Sequence, residues 1–277
     1  MKVARHFLLG SLPMVAWSAG FDSRQGTPAG AQGVSKLAPE NQAAPLALVT
    51  GASSGIGLAA ARRLLAAGWD VAILARRRER LQALAAEHPG RVLALAADVT
   101  QAAELANAAA QLAAWRPRLD ALLHCAGDFL LAPMEQTSAT EFERIWRLTV
   151  WSKFYLTRIL LPLLLAGEGR PPRAVLHLAS LAAHRDFPDE TAYISAMHAV
   201  IGLARAQDAE LRGRGIRSSV VSPGTVRTEL TERSFPAAAL AGALEPAAIA
   251  ASLLYLIETI RAGGYIPEIF HVPQNST

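Results

Sequence analysis

A single cysteine, Cys125, in 277 residues excludes an intramolecular disulfide and a cysteine-based zinc cluster. Lysine is nearly as scarce, supplied only by Lys2, Lys36 and Lys153. Aromatic residues make up 6% and charged residues 18% of the chain. After the first 20 residues no apolar run reaches bilayer-spanning length, and Ile159–Ala166 is interrupted by Pro162. What is plentiful is apolar: 52% of residues, rich in alanine and leucine, with mean hydropathy +0.23. That excludes a disordered or fibrous chain and suits many packed helices. The net charge of +4 is carried by arginine, and about half of it falls in residues 1–43 (Lys2, Arg5, Arg24 and Lys36 against Asp22 and Glu40). No basic stripe points to nucleic acid.

Residues 1–43 read as an extension to a single domain at 44–277. Met1–Gly20 has a basic start, an apolar stretch Phe7–Trp17 and then Ser18-Ala19-Gly20, the shape of a secretory signal. An unstructured extension with the same look is the alternative, favoured with a cytoplasmic setting if the domain behind it needs a cytosolic cofactor. Phe21 to Ala44 has the composition of a flexible linker. Strand-like runs then alternate with helical ones. The predicted strands are Leu46–Thr50, Val71–Ala75, Val92–Ala96, Leu119–Cys125, Ala174–Ala179, Ile216–Val221 and Glu268–Val272. The helices between them are expected at Leu58–Ala67, Glu79–Glu87, Ala102–Ala114, Ala139–Leu161, Ala192–Arg212 and Pro246–Arg261. Strands apolar on both faces and separated by helices predict an α/β fold, a Rossmann-type doubly wound parallel sheet. Ligands are then expected at the carboxyl ends of its strands.

The turn after the first strand reads Thr50-Gly51-Ala52-Ser53-Ser54-Gly55-Ile56-Gly57. Gly51 permits a tight turn, Gly55 lets a pyrophosphate approach the backbone, and Gly57 lets helix pack on strand. The following helix offers free N–H groups and its positive dipole end to phosphates. No Gly-Lys-Ser/Thr follows, which excludes a P-loop. The same residues also match the G-x-S-x-G elbow of hydrolases, with Ser53 as nucleophile, but that elbow follows several strands rather than the first. At the tip of the second strand stands Ala75-Arg76-Arg77-Arg78, with no acid to bind a ribose 2′-hydroxyl. Arginine there accommodates a 2′-phosphate, so NADP(H) is expected as cofactor.

From Thr50–Gly57 through Asp98-Val99, Cys125-Ala126-Gly127, Ser180, Tyr193 and Pro223-Gly224-Thr225-Val226-Arg227-Thr228, the chain resembles the short-chain dehydrogenase/reductase superfamily. The resemblance covers about residues 44–275. It implies a nicotinamide cofactor, a Ser–Tyr–Lys triad with a helper Asn, and a homodimer or homotetramer. Ser180 would hold a carbonyl oxygen and Tyr193 would give it a proton. The implied cofactor set is Gly51, Ser53, Ser54, Gly55, Ile56, Gly57, Arg76, Arg77, Asp98, Val99, Ala126, Gly127, Pro223, Gly224, Val226 and Thr228. Within it, Asp98 would meet the adenine ring, Ala126-Gly127 the ribose, and Pro223, Gly224 and Thr228 the nicotinamide side. The stretch Glu229–Ala243 falls where the family's substrate lid lies, with Phe235 and Leu240 as apolar lining.

Two of the four catalytic positions depart from that pattern. Met197 stands where the family's lysine is expected, and Thr149 where its asparagine is expected. His124 and Cys125 open what is usually Asn-Asn-Ala-Gly. Without the lysine, Tyr193 is expected to titrate near 10, which leaves carbonyl reduction open and makes alcohol oxidation slow at neutral pH. Lys153, one helical turn after Thr149, is the sole lysine that could compensate; a surface or interface position is the plainer expectation for it. His177 and His198 are other sources of charge. The expected activity is NADP(H)-dependent reduction of a small ketone or aldehyde to an alcohol. The alternative is a catalytically weak or inactive relative that binds NADP(H) and acts by binding or regulation.

Overall fold

The computed structural model describes residues 44–166 and 170–272; the extension at 1–43 lies outside them. In chain order the elements are β1 (Leu46–Thr50), α1 (Gly55–Ala66), β2 (Asp70–Ala75), α2 (Arg78–Glu87), β3 (Val92–Ala96), α3 (Ala102–Trp115) and β4 (Ala121–His124). The second half adds α4 (Ala139–Trp146), α5 (Ser152–Leu165), β5 (Arg173–Leu178), α6 (Thr191–Leu211), β6 (Ile216–Pro223), α7 (Glu229–Ser234), α8 (Pro246–Arg261) and β7 (Glu268–His271).

Seven parallel strands form one sheet in the order β3-β2-β1-β4-β5-β6-β7. Both faces are apolar, as the continuous hydrophobic runs demand. On one face Ala47, Val49, Val71, Ile73, Leu123 and Leu176 pack against α1, α2 and α8. On the other, Leu46, Leu48, Ala72, Leu74, Leu122 and Val175 pack against α3 and α5, including Leu105, Leu112, Leu156 and Leu160. Consecutive residues of one strand thus feed opposite cores, because side chains alternate across a strand. The order reverses between β1 and β4: from β1 the chain winds outward to β2 and β3, then returns to β4 on the other side. A crevice therefore opens above the carboxyl ends of β1 and β4. Thr50 and His124 are paired there.

The long helix differs from its expected form. It runs from Ala139 to Leu165 as α4, a π-helical turn at Arg147–Trp151, and α5, and it passes through Pro162 instead of stopping before it. Pro162 faces solvent, where a missing N–H costs least. This is the one helix among the described residues long and apolar enough to cross a membrane. Here it is a core helix, with Leu156, Leu160 and Leu164 buried against the sheet. Its aromatics divide as follows: Trp146 donates its indole N–H to Ser195, Trp151 stacks on Tyr155, and Phe154 is exposed.

Candidate active site

The chain emerging from β1 turns at Gly51, whose φ of +69° lies in the left-handed region. A Cβ at Gly51 would lie 2.9 Å from the backbone of Ala126, and one at Gly57 would lie 2.4 Å from the Gly51 carbonyl oxygen. Both glycines therefore let backbone meet backbone. Thr50 fixes the facing turn, its Oγ1 accepting from the N–H groups of Cys125 and Ala126 at 3.1 Å each. The start of α1 carries no side-chain cap and no acid in its first turn. Its first N–H groups have no side-chain cap, and an uncapped glycine-rich helix start suits a pyrophosphate.

We expect Gly57→Ala to destabilise the fold by about 3 kcal/mol, because the new methyl meets a carbonyl that belongs to the same turn and cannot retreat. Gly127→Ala, with nothing within 4 Å of the added carbon, is expected to leave stability within about 0.5 kcal/mol. Urea midpoints of the two variants check the contrast.

At the tip of β2 the Arg77 guanidinium turns back onto this turn. It donates to Ser53 Oγ at 3.0 and 3.1 Å and to Ser54 Oγ at 2.5 Å. Its other arm meets the Glu229 carboxylate of α7 at 2.7 Å, and Arg80 pairs with the same carboxylate. Ser53 is thus bound to a guanidinium and not to an imidazole, which leaves the hydrolase elbow without its base. Arg76 also lines the cleft and is the more exposed of the two.

Every residue expected in the cofactor set, together with Ser180 and Tyr193, lines one open cleft of about 1010 Å³. Ser180 follows β5 and caps a short turn, its Oγ accepting from the Ala182 N–H at 3.1 Å. Tyr193 stands in the first turn of α6, its ring edge-on to Phe129 with centroids 4.9 Å apart. Burial pushes the phenol's pKa up to about 12; the Ser180 hydroxyl pulls it down, and the nearby Glu190 charge raises it further. The expectation of a value near 10 is corrected, since loss of the family lysine is compounded by an apolar enclosure and an acidic neighbour. Met197, one turn on, is buried among Ala179, Val200 and Val220.

The expected surface position of Lys153 is also corrected. Lys153 is 2% exposed and reaches into the cleft wall, where Nζ donates to the Ala126 carbonyl at 3.2 Å. Its amine is held down to about pKa 8 by burial. Around it lie groups without charge. His124 is driven well below its usual pKa, first by burial and then by His177 and Lys153; His177 falls to about 3 by burial and Lys153. These two rings stack at 4.9 Å, bonded to Thr157 and Gln207 respectively. His177 therefore supplies no cation, and the exposed His198 faces its own helix, bonded to the Ile194 carbonyl. Burial lifts the Cys125 thiol to about 12, which disfavours the thiolate at neutral pH.

Charged groups that local patterning did not single out also line the cleft. Arg144 meets Asp128 at 2.7 Å, Arg233 lies 3.6 Å from the same carboxylate, and burial raises Glu190 to about 7. Phe235 contributes the expected apolar wall beside Phe129, whereas Leu240 is buried in the interior. Asp128 and Phe129 directly follow the Ala126-Gly127 turn, which is the one local signal that could have placed them. Among the described residues, no group of three His, Cys, Asp or Glu side chains forms a metal site.

A doubly wound sheet with an uncapped glycine turn at its switch point, facing a Ser–Tyr pair, defines a dinucleotide-binding oxidoreductase. The sequence model of the short chain dehydrogenase family matches residues 45–239, and the chain belongs to that family. It is 33% identical over 193 residues to D-threitol dehydrogenase of Mycolicibacterium smegmatis, covering 69% of this chain and 73% of the relative. It is 34% identical over 188 residues to sulfoacetaldehyde reductase of Chromohalobacter salexigens, covering 66% and 73%. Among solved structures, 3-ketoacyl-(acyl-carrier-protein) reductase of Brucella melitensis complexed with NADH superposes with a TM-score of 0.76 at 25% identity. That match covers 82% of this chain and 96% of the other. The family acts on small alcohols and carbonyl compounds with a nicotinamide cofactor, and this chain is an oxidoreductase of that kind.

Proposed function

We propose that this protein is an NADP(H)-dependent reductase of a small ketone or aldehyde, with Tyr193 as proton donor and Ser180 holding the carbonyl oxygen. The observation that carries the cofactor choice is the Arg77 guanidinium, bonded to both serines of the glycine turn with no acid at the β2 tip. Arg77, Ser53 and Ser54 would hold a 2′-phosphate, and the start of α1 the pyrophosphate. The bound coenzyme supplies hydride. The protein's part is to fix the carbonyl oxygen on Ser180 and deliver the phenolic proton to it. A phenol raised to about 12 stays protonated at neutral pH and favours reduction. Alcohol oxidation, which needs the phenolate, is expected to climb through the alkaline range. A cytosolic coenzyme pool would place the enzyme in the cytoplasm, and the exposed Phe154 on α5 suits the homodimer or homotetramer common in the family.

A titration of cofactor fluorescence tests this. NADPH is expected to bind more tightly than NADH, and Arg77→Ala to weaken NADPH about 10- to 100-fold while barely moving NADH, since it removes charge-assisted hydrogen bonds to a phosphate. Equal affinities in the wild type would reject the NADP(H) assignment. A second reading rests on Met197, which gives the tyrosine no charge: a binding or regulatory protein that retains the coenzyme without turnover. NADPH binding with no consumption across a panel of aldehydes and ketones would select it.

A further inference from the structure

Two polar groups in the cleft wall have no role in the scheme above. Thr149 sits in the π-helical turn, fully buried, and its Oγ1 has no hydrogen-bond partner. Lys153, in the next turn, is the largest fully buried side chain among the described residues, and one carbonyl accepts from its three N–H donors. Both line the cleft. Among the described residues no carboxylate pairs with the ammonium, and its neighbours His124, His177 and Cys125 are held neutral. A buried cation with spare donors beside an orphaned hydroxyl is costly unless a ligand completes it. Single-turn π segments recur where a helix re-aims side chains at a functional site.

The position tells which ligand. The carbonyl that holds Lys153 belongs to Ala126, whose backbone packs on the Gly51 turn. The ammonium is therefore seated behind the dinucleotide path. We propose that Lys153 and Thr149 form a sugar-binding floor for the coenzyme: the ammonium donates to the hydroxyl oxygens of the nicotinamide-side ribose, and Thr149 completes the contact. Lys153 is a cofactor-positioning residue in this role, on the helix that follows β4 and not on the tyrosine's own. The inference rests on the nicotinamide reading.

The test uses the scarcity of lysine. The full chain has three lysines, so protein carrying 13Cε-lysine gives three signals, with Lys153 assigned by its loss in Lys153→Met. Binding is followed separately by calorimetry. NADP+ and nicotinamide mononucleotide are expected to shift the Lys153 signal, and 2′,5′-ADP, which fills the adenine half, to leave it in place. Lys153→Met is expected to weaken NADP+ about 10- to 100-fold and 2′,5′-ADP less than twofold. Calorimetric binding of NADP+ with an unmoved Lys153 signal overturns this proposal alone. Absence of NADP+ and NADPH binding overturns the nicotinamide reading and this proposal with it. A shift caused by 2′,5′-ADP alone overturns the ribose assignment. The wild-type spectra decide the question even if the variant fails to fold.

Discussion

Tyr193→Phe is expected to lower carbonyl reduction by about 10²- to 10⁴-fold, the contribution of a positioned general acid, while NADPH affinity changes by less than threefold. The physical basis is the phenol's isolation. Its hydroxyl lies with Ser180 in a cleft wall that burial makes hostile to the phenolate. Phenylalanine keeps the edge-on packing against Phe129 and removes only the proton. The effect should therefore appear in kcat, with KM for the carbonyl nearly unchanged, since an interaction made in the transition state is what is lost. Steady-state NADPH oxidation with wild type and variant measures it. Comparable rates in the two proteins would place the proton donor elsewhere. Glu190, raised to about 7 and adjacent to Tyr193, would be the next candidate, and a surviving rate that fell across neutral pH would identify it.

The fold and its close-packed glycine turn were legible because their signals are local. Leu46–Thr50 is a continuous apolar run that must be buried on both faces, and the spacing of Gly51, Gly55 and Gly57 records close approaches within a few residues. Partnerships across the chain were not legible. Arg77 and Glu229 are 152 residues apart and meet because α7 folds over the nucleotide turn. The burial of Lys153 escaped sequence reasoning for a related reason. On a continuous α-helix the residues next to it, Ser152 and Phe154, give no sign of which face is inward, and the π turn at 147–151 shifts the phase of everything after it. The titration of Tyr193 was misjudged from one missing charge: Glu190, only three residues upstream, was a local signal left unread, and enclosure beside Phe129 is a tertiary fact. The same limit hid the Asp128–Arg144 pair.

Lys153→Met should make the folded protein more stable at neutral pH by about 3 kcal/mol, even as it weakens coenzyme binding. An amine that titrates near 10.5 when unfolded and near 8 when folded bears a penalty of about 1.4 kcal/mol per unit of difference. The sign follows from proton uptake. Between pH 8 and 10.5 the unfolded chain holds a proton on this lysine that the folded chain has released, so stability rises with pH across that window. The penalty is fully present below pH 8 and gone above about 10.5. Methionine has similar length and no charge, and exchanges of this kind at buried charges are often stabilising. The neighbouring groups do not blur the comparison. His124 and His177 are neutral throughout the window, and the raised Cys125 thiol makes stability fall above pH 9 in both proteins, so it largely cancels in the difference. Urea unfolding of wild type and variant at pH 7, 8, 9 and 10 should show the gap between them closing as pH rises. A gap constant with pH would mean that the ammonium is already compensated in the free protein, and its retention would then owe nothing to an arriving ligand.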